Sequence, residues 1–216
     1  TVGQRVPIEI SLCDEDGQPT TSLQDRVIDL SSSQIIGRFY DSDSSDVAIE
    51  NITIAAGQTS GSAYYTQTIT GAATLTAEEE NLDSSSLDLN FIAGEIASIV
   101  FTTNQQSVEK DQPSNIITIE VFDAYGNPVI SENPIEINLS STSQTGGFGL
   151  NETGPWSNGG VFTIPAGSST ASIYYKDSTP GEYRLEARLS DGVHESQAIT
   201  ITDSTPIPAE LASLSL

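Results

Sequence analysis

Hydrophobic residues fall on every second position in short runs along nearly the whole chain. Ile8, Ile10 and Leu12 form one run, Ile28 and Leu30 a second, and Ile52 and Ile54 a third. Ala63 with Tyr65, Leu75 with Ala77, and Leu87 with Leu89 and Phe91 continue the series. A period of two puts such side chains on one face of an extended strand and leaves the intervening Ser, Thr and Glu on the other. Between the runs lie Asp-x-x-Gly-x-Pro, Ala-Gly and Pro-Gly turns, where Gly supplies backbone angles that other residues avoid. Six or seven short strands in roughly 100 residues, punctuated this often, predict a β-sandwich.

The pattern occurs twice. Asp14-Glu15-Asp16-Gly17-Gln18-Pro19 returns as Asp123-Ala124-Tyr125-Gly126-Asn127-Pro128, 109 residues on, and Leu30-Ser31-Ser32 returns as Leu139-Ser140-Ser141. Ala56-Gly57, Tyr64-Tyr65 and Gly71 then recur 110 residues on, as Ala166-Gly167, Tyr174-Tyr175 and Gly181. One residue has therefore been inserted between Ser141 and Phe162. The apolar runs correspond as well: Ile117, Ile119 and Val121; Ile137 and Leu139; Phe162 and Ile164; Ile173 and Tyr175; Leu185 and Ala187; Ile199 and Ile201. The expected fold class is all-β, with two tandem Ig-like β-sandwich domains, each of a size that holds one core.

Composition narrows the classes of function. Hydrophobic residues make up only 36% of the 216, and the net charge is −23. Such a surface repels nucleic acid and anionic membranes, since holding a phosphate backbone requires clustered Lys or Arg. No apolar run approaches the roughly 20 residues that cross a bilayer, so no membrane insertion is expected. Cys13 is the only cysteine, which excludes an intrachain disulfide; it reads as a small packing residue at a strand end. The chain contains no Met and begins at Thr1. That beginning reads as a processed end and points to export.

The segments Asp-x-x-Gly-Asn-Pro-Val at 123–129, Ile-Pro-Ala-Gly at 164–167, Tyr-Tyr-Lys-Asp at 174–177 and Pro-Gly-Glu-Tyr at 180–183 resemble bacterial Ig-like repeats of the invasin/intimin type. The resemblance runs over nearly the whole chain. It is weaker in the first copy, which has Gln18 in place of Asn127 and Ala72-Ala73 in place of Glu182-Tyr183. It implies spacers and stalks in bacterial surface proteins with no shared catalytic site, so no enzyme is expected, and the expected localisation is extracellular, at the cell surface.

The ends depart from the repeat. The second copy opens with Ala93-Gly94-Glu95-Ile96-Ala97-Ser98-Ile99-Val100-Phe101, for which the first copy has no counterpart. Pro208-Ala209-Glu210-Leu211-Ala212-Ser213-Leu214-Ser215-Leu216 matches that segment almost residue for residue. The expected domains are residues 1–92, a sandwich lacking its first strand; 93–203, a complete sandwich; and 204–216, a Pro-containing connector with a spare strand. Two readings follow. In one, Glu210, Leu211, Ala212, Leu214 and Leu216 form an assembly strand that completes a neighbouring copy along Val6, Ile8, Ile10 and Leu12. Donor-strand complementation of this kind does not close on itself, and gives a head-to-tail homopolymer, an extracellular filament, pilus-like fibre or surface layer. In the other, the chain is a spacer or stalk segment of a longer surface adhesin.

Other candidate sites are sparser. Asp41, Asp43 and Asp46 place three carboxylates in one polar loop, a candidate for calcium, against the plainer reading of a solvated acidic loop; no other cofactor is implied. Asp14-Glu15-Asp16 and Glu78-Glu79-Glu80 with Asp83 are further acidic runs. Asp123 reads as a turn former. Trp156 reads as a plug at the open end of the second sandwich or, as a lesser alternative, a platform for a sugar ring. His194 stands alone, with no nucleophile or base to complete a triad. Asn51, Asn138 and Asn151 each begin an Asn-x-Ser/Thr glycosylation pattern. No host or glycan receptor is identified.

Overall fold

The structure is a computed structural model that describes residues 1–203. Every regular element among the described residues is a β-strand. The chain divides into two compact units, Thr1–Glu95 with Asp123–Asn127, and Ile96–Phe122 with the residues from Pro128 onward. Each holds a sandwich of two sheets.

The first sandwich comprises β1 (Val6–Ser11), β2 (Arg26–Ser32), β3 (Arg38–Tyr40), β4 (Ala48–Ile49), β5 (Asn51–Ile54), β6 (Ser60–Thr66), β7 (Gly71–Glu78) and β8 (Ser85–Phe91). One sheet has the order β1-β6-β3-β4 and the other β5-β2-β7-β8. The second sandwich comprises β9 (Ser98–Phe101), β10 (Gln106–Glu109), β11 (Ile117–Phe122), β12 (Ile135–Ser141), β13 (Gly147–Gly149), β14 (Gly160–Ile164), β15 (Thr170–Lys176), β16 (Gly181–Arg188) and β17 (His194–Thr202). Its sheets run β13-β15-β11-β9 and β10-β17-β16-β12-β14. The alternating runs become the inner faces: Ile117, Ile119 and Val121 are buried on β11, and the residues between them are half-exposed.

The register confirms the internal repeat strand by strand. Ile8 lies opposite Ala63 as Ile117 lies opposite Ile173, and Ile28 opposite Ile52 as Ile137 lies opposite Phe162. The Asp-x-x-Gly turns also coincide. Asp14 Oδ1 accepts from the backbone N–H of Asp16 and Gln18, and Asp123 Oδ1 from those of Tyr125 and Asn127. Gly17 and Gly126, at φ 77° and 82°, take the left-handed backbone that this turn requires. Asp123 is thus a turn former.

A second shared feature sits in each core. Tyr65 and Tyr175 are fully buried, and each hydroxyl pairs with a serine on the facing sheet, Ser32 at 2.7 Å and Ser141 at 2.8 Å. A Cβ on Gly37 or Gly146 would sit 2.0 or 1.8 Å from that hydroxyl, so glycine is what admits it. The tyrosines then differ in their second partner: Tyr65 donates to Gln67 and Tyr175 to Asp177.

Candidate assembly edge

β11 is an interior strand. It pairs with β15 on one side and with β9 on the other, where Ile119 lies opposite Phe101, Val121 opposite Ile99 and Phe122 opposite Ser98. β1 is its counterpart in the first sandwich and pairs only with β6 among the described residues. Leu12 N–H donates to the carbonyl of Thr59 across the β6 side. By the alternation of a strand ladder, the backbone groups of Glu9 and Ser11 then turn to the outer edge. In the second sandwich the equivalent edge is occupied: Thr102 N–H donates to Thr118 carbonyl and Ala97 N–H to Phe122 carbonyl. Pro7 contributes no N–H at the far end of β1, which limits how far a further strand can zip along it.

The opening strand of the second sandwich comes in two parts. β9 lies antiparallel to β11 in one sheet, and β10 crosses to lie parallel to β17 in the other. Ile99 and Val108 carry its side chains into the core, and Ile96 and Phe101 pack against that core. The first sandwich has neither part among its described residues. Gly3 sits where Asp111 sits in the second: each N–H donates to the carbonyl of the residue two beyond the buried tyrosine, Gln67 and Asp177, and both have positive φ.

The flank of β1 that no strand covers among the described residues is indented. A cleft of about 270 Å³ runs between β1 and β8, lined by Ile8, Ile10, Leu30, Phe39, Leu75 and Leu87 among others. A second, of about 440 Å³, lies beyond the end of β1 and is mixed in character, with Leu12, Cys13, Leu23 and Leu82 on its walls beside Thr20, Thr21, Ser22, Gln24 and Arg26. Ile8 and Ile10 are only half-buried and Leu87 is 45% exposed, whereas Ile117 and Ile119 are 1% and 0% exposed. Val6 is half-buried and Leu12 buried at this edge. Cys13 corrects the reading as a packing residue: it follows buried Leu12 onto the outer face of the sheet, and its thiol is exposed. Glu210, Leu211, Ala212, Leu214 and Leu216 lie outside the described residues.

The remaining candidates separate from this edge. Asp41, Asp43 and Asp46 are exposed, and among the described residues no three His, Cys, Asp or Glu side chains gather in a metal-holding group. The loop that carries them is gathered by Arg5 instead. Its guanidinium donates to the carbonyls of Ser42, Asp43 and Ser45 and stacks 3.9 Å from the Tyr40 ring centroid. Asn51, Asn138 and Asn151 are exposed. Trp156 is half-buried, and its ring lies against Gly149, where a Cβ would come within 3.1 Å. It lines a cleft of about 340 Å³ with Asp111, Asn158, Lys176 and Asp177. The Asp177 carboxylate is already engaged by Thr145 Oγ1, Thr179 N–H and the Tyr175 hydroxyl. His194 is exposed and meets only the Gly192 carbonyl.

Comparison with known proteins found no matching family model and no matching curated protein. Among solved structures, the chain resembles invasin, a bacterial integrin-binding protein, at 20% identity and a TM-score of 0.41, over 93% of this chain and 36% of that one. It resembles domains 4 and 5 of the S-layer protein SbsC at 13% identity and a TM-score of 0.38, over 89% of this chain and 79% of that one. It resembles the D0–D1 domains of intimin at 14% identity and a TM-score of 0.33, over 92% and 91%. The chain thus spans about a third of the length of the invasin structure. These are remote likenesses, and none assigns a ligand or an activity to this chain.

Proposed function

We propose that this chain is a structural unit of an extracellular filament, pilus-like fibre or surface layer, joined head to tail by a strand that adds to the outer edge of β1. One observation carries the reading: the edge that β9 occupies in the second sandwich is bare among the described residues of the first and opens onto two clefts, the one between β1 and β8 largely apolar. A bare sheet edge above an apolar slot is a template for another strand, which satisfies the backbone groups and fills the slot together. Segment 208–216 is similar to the segment that fills this edge in the second sandwich, with Glu210, Ala212 and Ser213 matching Glu95, Ala97 and Ser98, and leucines at the positions of Ile96, Ile99 and Phe101. A donor and its acceptor at opposite ends of one chain give an open series rather than a closed ring. The net charge of −23 suits a unit exposed to salty surroundings and opposes association by any less specific route. The role is mechanical, self is the partner, and no chemistry is assigned to the chain.

The test is to remove residues 209–216 and follow assembly by light scattering and electron microscopy. The full chain is expected to form linear polymers and the shortened chain to remain monomeric. Polymers of normal length from the shortened chain would overturn the proposal.

A second reading is favoured by a separate observation. The second sandwich fills its flank with β10 as well as β9, and segment 208–216 corresponds to β9 alone. In a longer surface protein, residues preceding Thr1 in the same polypeptide would supply both parts, and the chain would be a stalk segment. One very long polypeptide in the native material marks this reading; a polymer of short chains marks the first.

A further inference from the structure

We infer the register of that junction: the donated segment runs antiparallel to β1 with Ser213 of one copy opposite Cys13 of the next. The inference rests on the strand-donation reading and adds to it where each side chain sits.

The two sandwiches share their strand pairings, so the second supplies a template for the first. Ala93–Phe101 and Pro208–Leu216 align without a gap, which equates Ile96 with Leu211, Ala97 with Ala212, Ser98 with Ser213, Ile99 with Leu214 and Phe101 with Leu216. On the acceptor side Ile10, Leu12 and Cys13 are the counterparts of Ile119, Val121 and Phe122, as the pairing of β1 with β6 and of β11 with β15 requires. Transferring the observed register sets Leu216 opposite Ile10, Leu214 opposite Leu12, Ser215 opposite Ser11 and Ser213 opposite Cys13. Ala212 N–H then donates to the Cys13 carbonyl, as Ala97 N–H does to that of Phe122.

The clefts agree with this register independently. Directly opposed residues in an antiparallel pair share a face, so Leu214 and Leu216 fall on the inner face with Leu12 and Ile10. Leu216 reaches the cleft bounded by Ile8, Ile10 and Leu87. Leu211, beyond the end of β1, reaches the cleft bounded by Leu12, Cys13, Leu23 and Leu82. Thr20 and Arg26 also line that cleft, at the positions of Val129 and Ile135, which with Ile96 pack against the core of the second sandwich. A slip of one residue would turn Leu214 and Leu216 to solvent and bring Ser213 and Ser215 inward, so the register is strongly specified. Both depressions are used, each by a leucine at the spacing of Ile96 and Phe101.

Cys13 makes the register measurable, being exposed and the only cysteine in the chain. Opposed residues in an antiparallel pair have Cα atoms about 4.5–5.5 Å apart, within the span of a disulfide. S213C is made in the full chain, with S215C and the double change S213C/C13S beside it. Under mild oxidation S213C is expected to give a ladder of disulfide-linked oligomers on a non-reducing gel, more than 10-fold above S215C, and S213C/C13S is expected to give none. Light scattering before oxidation separates the two levels of the argument. Polymers that crosslink through S215C rather than S213C overturn this register and leave strand donation standing. Absence of polymers from every variant and from the parent chain overturns strand donation, and the register with it.

Discussion

The two sandwiches follow one plan and differ most on one flank. In the second, a single continuous core extends from Ile99 on β9 to Ile201 on β17. In the first, the buried residues fall into two smaller groups, one around Tyr65 and Phe91 and one around Ile28 and Ile54, with Leu30 and Ile49 only partly buried beside both. Ile10 and Ile119 show what separates them. They are the same residue type at the same place on equivalent strands, yet one is half-buried and the other fully buried. Burial here is set by the neighbouring strand, not by the residue that is buried. Among the described residues, the first sandwich leaves this flank without such a neighbour.

That contrast can be broken by truncating the paired isoleucines. Ile119→Ala leaves a cavity in a closed core and is expected to cost about 3–4 kcal/mol in urea unfolding of the second sandwich. Ile10→Ala, in the chain lacking 209–216, is expected to cost less, about 1–2 kcal/mol, because Ile10 is only partly buried. Equal costs would mean that the flank of β1 is closed after all.

A smaller difference is expected at the buried tyrosines. Tyr175→Phe removes one of the donors to a buried carboxylate, and is expected to cost about 1.5–3 kcal/mol. Tyr65→Phe removes a bond to the neutral side chain of Gln67 and is expected to cost about 1 kcal/mol. Thermal unfolding of the two variants orders them. If Tyr65→Phe proves the more damaging, the charge of Asp177 is not what makes the second hub costly to disturb.

The same pair predicts distinct pH responses. Burial pushes the Asp177 carboxyl up, but hydrogen bonds from Ser143, Thr145, Thr179 and Tyr175 outweigh it and hold the group below its ordinary value. A carboxylate depressed in the folded state stabilises above its unfolded pKa, and that stability is lost as pH falls through the folded value. The second sandwich is therefore expected to weaken below about pH 4, and Asp177→Asn to flatten that loss. Burial, with the neighbouring Asp177 carboxylate, raises the Tyr175 hydroxyl to about 12. Here the unfolded state gives up its proton first, so stability is expected to fall as pH rises from about 10 to 12. Circular dichroism melts across both ranges check the two signs.

Much of this fold was legible in the sequence because it is local and it is repeated. Period-two runs such as Ile8-Ile10-Leu12 name the inner face of a strand, and the 109–110 residue spacing fixes which strands correspond. Coverage is not local. Cys13 and its counterpart Phe122 both fall on the outer face, yet the phenylalanine is half-buried and the thiol exposed. The division of the opening strand into β9 and β10, one in each sheet, was hidden for the same reason: Gln106–Glu109 carries one core side chain, Val108, too few to show an alternation. The acidic loop at 41–46 is shaped by Arg5, about 40 residues earlier, a pairing that charge spacing does not reveal. Val6, Ile8, Ile10 and Leu12 were legible as one face of a strand; that this strand lies at a sheet edge beside two clefts required the fold.

The most direct test of the account is amide exchange along β1. In the chain lacking 209–216, Glu9 and Ser11 amides face the open edge, and their counterparts Thr118 and Glu120 lie under β9. Addition of a synthetic peptide with the sequence of residues 208–216 is expected to slow exchange at Glu9 and Ser11 by more than 10-fold, and to leave Thr118 and Glu120 unchanged. Unaltered exchange at Glu9 and Ser11 under saturating peptide would contradict the claim that this edge is built to receive that strand.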